Sequence, residues 1–129
     1  MSAQQQWRKN RVVWFEIPAG DLGRATKFYE TILQTQLKAE NFGPHEMRMF
    51  VHDDGAAGGC LLKGPGYAPA ADGVVTYLNA APSLDTVLAR VERAGGRIAV
   101  PRTELPKDLG CFAHIIDSEG NRVGLHAMS

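Results

Sequence analysis

The sequence predicts an α+β domain assembled from two copies of one βαβββ unit. Three observations carry this prediction. VVWFEIPAGDL (12–22) and VVTYLNAAPSL (74–84) share a pattern at constant spacing, Val74 standing 62 residues after Val12 and Leu84 62 residues after Leu22. Each stretch is an alternating run of period two, then a turn, then apolar residues at the 3.6-residue spacing of a helix. Three further strand-like segments follow each helix, in the same order. A repeat of this kind sets the architecture and so is read before anything else.

The elements follow in turn. In 12–18, Val13, Phe15 and Ile17 alternate with Trp14 and Glu16, so one face is apolar and the other sets a large aromatic beside a carboxylate. Asp21 or a neighbour caps a helix whose apolar residues are Leu22, Ala25, Phe28, Tyr29, Ile32 and Leu33. Strands are expected over about 36–42, 45–51 and 58–63, separated by turn residues at 41–44 and 53–55. GPGYAPAADG (64–73), rich in Gly, Pro and Ala, reads as a connector. In the second unit Ser83 caps a helix carrying Leu84, Val87, Leu88, Val91 and Ala94, which Gly95 and Gly96 stop. Strands then run over about 97–101, 111–117 and 122–127, with turns at 107–110 and 117–121. Unit one covers about 11–63, unit two about 74–127, and residues 1–129 form a single domain.

One helix covers one face of its sheet, and the other face needs a partner. Two units side by side, or two chains, would leave a concave mixed sheet with the helices on its outer face. Val13, Phe15 and Ile17 suit the helix side, which assigns Trp14 and Glu16 to the concave side.

Composition narrows the function classes. Apolar residues make up 44% and charged residues 22% of 129, as in ordinary globular proteins. Lys plus Arg and Asp plus Glu number 14 each, so no global field favours nucleic acid or anionic lipid. No basic stripe interleaved with aromatics is present, and no stretch approaches the roughly 20 apolar residues of a membrane span. The N-terminal MSAQQQWRKN lacks the apolar core of a signal peptide. Cys60 and Cys111 lie in apolar surroundings without CxxC spacing, which fits a reduced, cytoplasmic protein.

The βαβββ repeat, AGDLGRATKFYETIL, GGCLLKG, LDTVLARVERAGG and the terminal DSEGNRVGLH together resemble the vicinal oxygen chelate superfamily, which groups glyoxalase I, bleomycin resistance proteins and extradiol dioxygenases. The resemblance covers about residues 11–127. It implies a divalent metal held by His, Glu or Gln, with one ligand from the first and one from the last strand of each unit. In the family pattern the first ligand lies six residues before the Gly of the Gly-Asp-Leu turn, where this chain has Trp14. The repeat carries that position to Thr76. The terminal ligand lies seven residues after the Asp of the DxxG turn, where this chain has Gly124, and its counterpart in unit one is Leu62. A register slipped by two would substitute Cys60. Indole nitrogen only donates, Leu has no lone pair and Gly has no side chain, so Thr76 alone could touch a metal, and weakly. No cofactor is expected, and a divalent metal would need a shifted site.

The remaining candidates are weighed by type. Glu16 is either a solvated carboxylate near a strand end or a polar contact or general base beside Trp14, its pKa raised by burial. His126 stands two residues beyond Gly124 on the same strand face. It is a histidine facing solvent or the dimer partner, the acid–base partner of Glu16, or half of a displaced metal site. His114, within Phe112-Ala-His-Ile-Ile116, reads as a satisfied core or pocket-wall histidine rather than a catalyst. His45 and His52 read as surface residues, and Cys60 and Cys111 as small buried residues. Trp7, Tyr67 and the turn at Pro44 are placed to reach a cavity mouth, but such aromatics are often packing. Trp14, Leu62, Phe112 and Gly124 would line an apolar pocket, the usual character of a small-molecule site. The expected function is metal-independent binding of a small organic ligand, by a homodimer on family resemblance. The alternative is a glyoxalase-like lyase, isomerase or dioxygenase acting through Glu16 and His126.

Overall fold

A computed structural model describes residues 10–129. The elements run β1 (Trp14–Pro18), α1 (Leu22–Leu33), β2 (Lys38–Phe42), β3 (His45–Met49), β4 (Gly58–Lys63), β5 (Tyr77–Asn79), α2 (Leu84–Val91), β6 (Arg97–Glu104), β7 (Cys111–Ile116) and β8 (Arg122–Ala127). Two βαβββ units are present. Each forms its own four-stranded mixed sheet, in the orders β1-β4-β3-β2 and β5-β8-β7-β6. The first and last strands of each unit pair in parallel, and the remaining pairs are antiparallel.

Local sequence accounts for the helices. The Asp21 side chain accepts from the Arg24 N–H at 2.9 Å, and the Ser83 hydroxyl oxygen accepts from the Thr86 N–H at 3.3 Å, so each side chain satisfies one N–H left free at a helix start. The buried residues of α1 are Leu22, Ala25, Phe28, Tyr29 and Ile32, and those of α2 are Leu84, Val87 and Val91. These faces and the inner faces of both sheets share one core, to which Ile17, Leu61, Leu78, Ala113, Ile115, Val123 and Leu125 belong. Gly96 matters here, because a Cβ at that position would meet the Ile116 carbonyl at 2.6 Å and the Phe28 ring at 2.7 Å. The turn after α2 therefore presses against α1.

The two units are latched by the turn between β7 and β8. The buried Tyr29 hydroxyl of α1 donates to Asp117 Oδ2 at 2.6 Å, and Asn121 Nδ2 donates to the Pro18 carbonyl at 2.7 Å. Glu119 accepts from Arg24 Nε at 2.6 Å and from the Asp21 N–H at 2.7 Å. Residues that read as turn chemistry in sequence thus join unit two to the β1–α1 corner of unit one.

Several strand ends differ from expectation, for reasons of pairing. β1 begins at Trp14 rather than Val12, because β4 begins at Gly58, the partner of Trp14. β5 begins at Tyr77 rather than Val74, because the linker takes the start of β8: the Arg122 N–H donates to the Ala70 carbonyl at 3.2 Å. β6 runs through Pro101 to Glu104, where the proline had marked its end. It is an edge strand with register shifts between Val100 and Thr103, a setting in which a residue without an N–H is tolerated. A single concave sheet is not formed within one chain: among the described residues no strand of one sheet runs beside a strand of the other. Each sheet instead has an inner face on the shared core and an outer face turned away from the helices.

Candidate functional site

The register assigns the outer-face residues. In sheet one, Glu16 pairs with Cys60, and Cys60 and Leu62 pair with Met49 and Met47, so these share a face with Trp14. In sheet two, Tyr77 and His114 both pair with Gly124, and Asn79 and Phe112 both pair with His126. Trp14 and Tyr77 are exposed, whereas Cys60 and Leu62 are buried although they lie outside the shared core.

The structure separates several residues that the sequence grouped. Trp14, Glu16 and Leu62 lie on the outer face of sheet one, and Phe112, His114, Gly124 and His126 on that of sheet two. One chain therefore does not join Trp14, Leu62 and Gly124 in one pocket, nor Glu16 and His126 as an acid–base pair. Thr76 is misplaced for a separate reason. Hydrogen bonds from Ala19 N–H to the Leu62 carbonyl and from Ala80 N–H to the His126 carbonyl make Ala80 the counterpart of Ala19, 61 residues on. The helices keep the spacing of 62 because the Ala80–Leu84 turn holds one residue more than the Ala19–Leu22 turn. A one-residue change in register reverses the face. Tyr77, not Thr76, therefore stands on the outer face, where it answers to Glu16, and Thr76 offers its carbonyl to the Gly124 N–H at 2.9 Å. The same bonds make Cys60 the counterpart of Gly124, and His126 that of Leu62.

On sheet one, Glu16 is exposed and held by two donors. Trp14 Nε1 donates to Oε2 at 3.3 Å and the Tyr67 hydroxyl to Oε1 at 3.0 Å. Tyr67, on the linker, packs edge-on against His45 with centroids 5.3 Å apart. Its hydroxyl is pushed above the ordinary phenol range by the bond to Glu16 and then by that carboxylate's charge. Burial, with a smaller contribution from Glu16, raises the Cys60 thiol to about 11. Within one chain Glu16 is not buried. Trp7 lies outside the described residues.

On sheet two, Tyr77 Oη lies 2.6 Å from His114 Nε2, and Arg122 Nη1 lies 3.3 Å from His114 Nδ1. Desolvation and then the Arg122 charge hold His114 below the usual imidazole range. Tyr77, Phe112 and His114 form an aromatic cluster with centroids 5.4–6.1 Å apart. Gly124 does not leave an open space, because a Cβ there would collide with the Tyr77 ring lying over it. His126 Nε2 donates to the Leu109 carbonyl at 2.7 Å. Sequence reading singled out neither Tyr77 nor Arg122. The alternation of 74–79 could have shown Tyr77, but only with the extra turn residue known.

The family model described as the Glyoxalase/Bleomycin resistance protein/Dioxygenase superfamily matches residues 11–125. The chain belongs to this superfamily. Among solved structures, the glyoxylase/bleomycin resistance protein/dioxygenase domain from a Frankia species superposes with a TM-score of 0.67 at 17% identity, over 92% of this chain and 97% of that one. The trypanothione-dependent glyoxalase I of Leishmania major gives 0.65 at 16% identity, over 93% and 88%. Glyoxalase I from Zea mays gives 0.59 at 23%, over 90% of this chain but 45% of that one, so the chain spans about half the maize protein. At these identities the likeness is one of fold. No curated protein matches the chain in sequence.

The divalent metal of the superfamily does not fit the residues present. Trp14 and Gly124 offer no lone pair to a cation, the counterpart of Trp14 in unit two is Val75, and the counterpart of Gly124 in unit one is Cys60, a buried thiol raised to about 11. Among the described residues no three His, Cys, Asp or Glu side chains converge as a metal-holding group.

Proposed function

We propose that this superfamily member binds a small organic molecule without the usual divalent metal, as a homodimer whose outer sheet faces close over the ligand. One observation carries the reading: where a side chain at Gly124 would project, the Tyr77 ring lies instead. The place of a metal ligand is thereby turned into an aromatic wall. The exposure of Trp14 and Tyr77 on uncovered sheet faces supports the same conclusion, since such surfaces mark ligand or subunit contacts. A second copy would set the Trp14–Glu16 face against the Tyr77–His114 face and supply the burial that each lacks.

The reading is tested on purified protein by sedimentation, native mass spectrometry and calorimetric titration with Zn²⁺, Ni²⁺ and Mn²⁺. A dimer that carries or captures an organic ligand, with no ion bound stoichiometrically, is the expected result. Tight binding of one ion per chain, abolished by Glu16→Gln or His126→Ala, would overturn it. A glyoxalase-like reaction through Glu16 and His126 needs a second copy to bring them together. Turnover of hemithioacetals or catechols lost in both variants would favour that reaction.

A further inference from the structure

The two outer faces differ in charge. Sheet one carries Glu16 and, by pairing with Met47 and Met49, Glu40 and Lys38, so its carboxylates outnumber its cations by two to one. Sheet two has no Asp or Glu at the outward positions of β5, β7 or β8, while His114, Arg122 and His126 stand among them. Glu16, Asp72 and Arg122 together line a small cavity at the junction of the units and the linker. The ion pairs of the described residues lie elsewhere, at Arg24 and Arg102.

Proton positions on sheet two follow from the geometry. A guanidinium has no acceptor, so beside Arg122 Nη1 the Nδ1 atom of His114 must present its lone pair. A neutral imidazole then carries its hydrogen on Nε2 and donates it to Tyr77 Oη. The hydroxyl proton of Tyr77 is then left unspent among the described residues, on a ring that lies over Gly124. Arg122 uses Nε on the Ala71 carbonyl at 3.2 Å and Nη1 on His114, which leaves Nη2 unengaged among the described residues. The Phe112 and Tyr77 rings, with centroids 6.1 Å apart, provide apolar surface on the same face.

The geometry points to a planar organic acid as the ligand of this face, with Arg122 carrying its countercharge, Tyr77 donating to a second oxygen, and His114 positioning both. This deepens the proposed function and rests on its reading of the face as a ligand wall. Sheet one, with Glu16 already held by two donors, would lie across from the ligand in the partner copy.

The test uses the full chain and two readouts. Long-range ¹H–¹⁵N correlation on labelled protein is expected to show His114 with its hydrogen on Nε2, and an Nδ1–H tautomer would overturn the proposal. Calorimetry then compares 4-hydroxybenzoate with neutral 4-hydroxybenzamide and cationic 4-hydroxybenzylamine. The anion should bind at least about tenfold more tightly than either, one charge-assisted hydrogen bond being worth that factor. Tyr77→Phe should weaken the anion by a similar factor, and Arg122→Gln should abolish the preference for it. His114→Ala should reduce the anion-to-amide ratio at an unchanged melting temperature. Should Arg122→Gln fail to fold, the exposed Tyr77→Phe variant keeps the test decisive. Equal binding of amide or amine would overturn the organic-acid assignment while leaving the ligand-wall reading intact. Failure of 4-hydroxybenzoate to bind up to about 5 mM would overturn it as well, and the ligand-wall reading would then stand or fall on dimerisation and captured ligand.

Discussion

Replacing Tyr29 by Phe removes one oxygen from the middle of the molecule. The residue is fully buried, and its hydroxyl donates to Asp117 Oδ2 at 2.6 Å across the boundary between the units. The ring contacts survive the change: Phe28 lies edge-on at 4.9 Å and Phe50 at 5.7 Å. The loss is therefore almost purely that of a hydrogen bond to a buried carboxylate, worth about 1.5–3 kcal/mol. Asp117 keeps the Asn121 side-chain amide at 3.0 Å and the N–H groups of Glu119 and Asn121 at 2.9 Å, which places the cost near the middle of that range. We expect a loss of about 2 kcal/mol, seen in urea unfolding followed by circular dichroism as a lower midpoint with an unchanged slope. For a domain of this size that corresponds to a melting temperature lower by about 6–10 °C. A loss below about 0.5 kcal/mol, the usual range of a surface change, would refute the claim that this bond latches the units.

Other consequences concern Glu119, Gly124 and Cys60. Burial pushes the Glu119 carboxyl up, but bonds from Arg24, the Asp21 N–H and Ser118, with the Arg24 charge, bring it below the usual carboxylate range. Its contribution is present above the ordinary Glu value and lost as pH falls through the lower folded one. Glu119→Gln should thus melt below wild type near neutral pH and converge with it in acid, and an equal deficit at both pH values would contradict this. Gly124→Ala should push the Tyr77 ring aside and break its bond to His114. Because that ring is exposed, the stability cost should be at most about 1 kcal/mol, with the change visible in the Tyr77 and His114 ring resonances. The Cys60 thiol, at about 11, favours the folded state below the ordinary thiol value of about 8.5 and loses that preference as pH rises through 11. With both cysteines buried, iodoacetamide should label neither in native protein and both after unfolding.

Sequence and structure divide the information along a physical line. Features set by neighbours within a turn or two were legible. The 3.6-residue spacing gave the buried faces of both helices, Asp21 and Ser83 announced their caps, and alternation put Trp14 and Glu16 opposite Ile17. Features that need a partner were not. Val12, Val13 and Val74 have strand-like side chains but no strand beside them, whereas Pro101 sits in a strand because an edge bulge excuses its missing N–H.

By itself the sequence determined the repeat, the superfamily and the identity of the residues at Trp14 and Gly124, since residue identity and periodicity are local properties. Tertiary structure decided what occupies those places. One extra residue in the Ala80–Leu84 turn moves the counterpart of Trp14 from Thr76 to Val75 and sets Tyr77 on the outer face as the counterpart of Glu16, because side chains alternate with period two and a single insertion reverses the face. The division of Glu16 and His126 between two sheets, the Tyr77–His114–Arg122 array and the Tyr29–Asp117 bond join residues far apart in the chain. Such contacts are fixed by how the units pack, and no spacing along the chain records them.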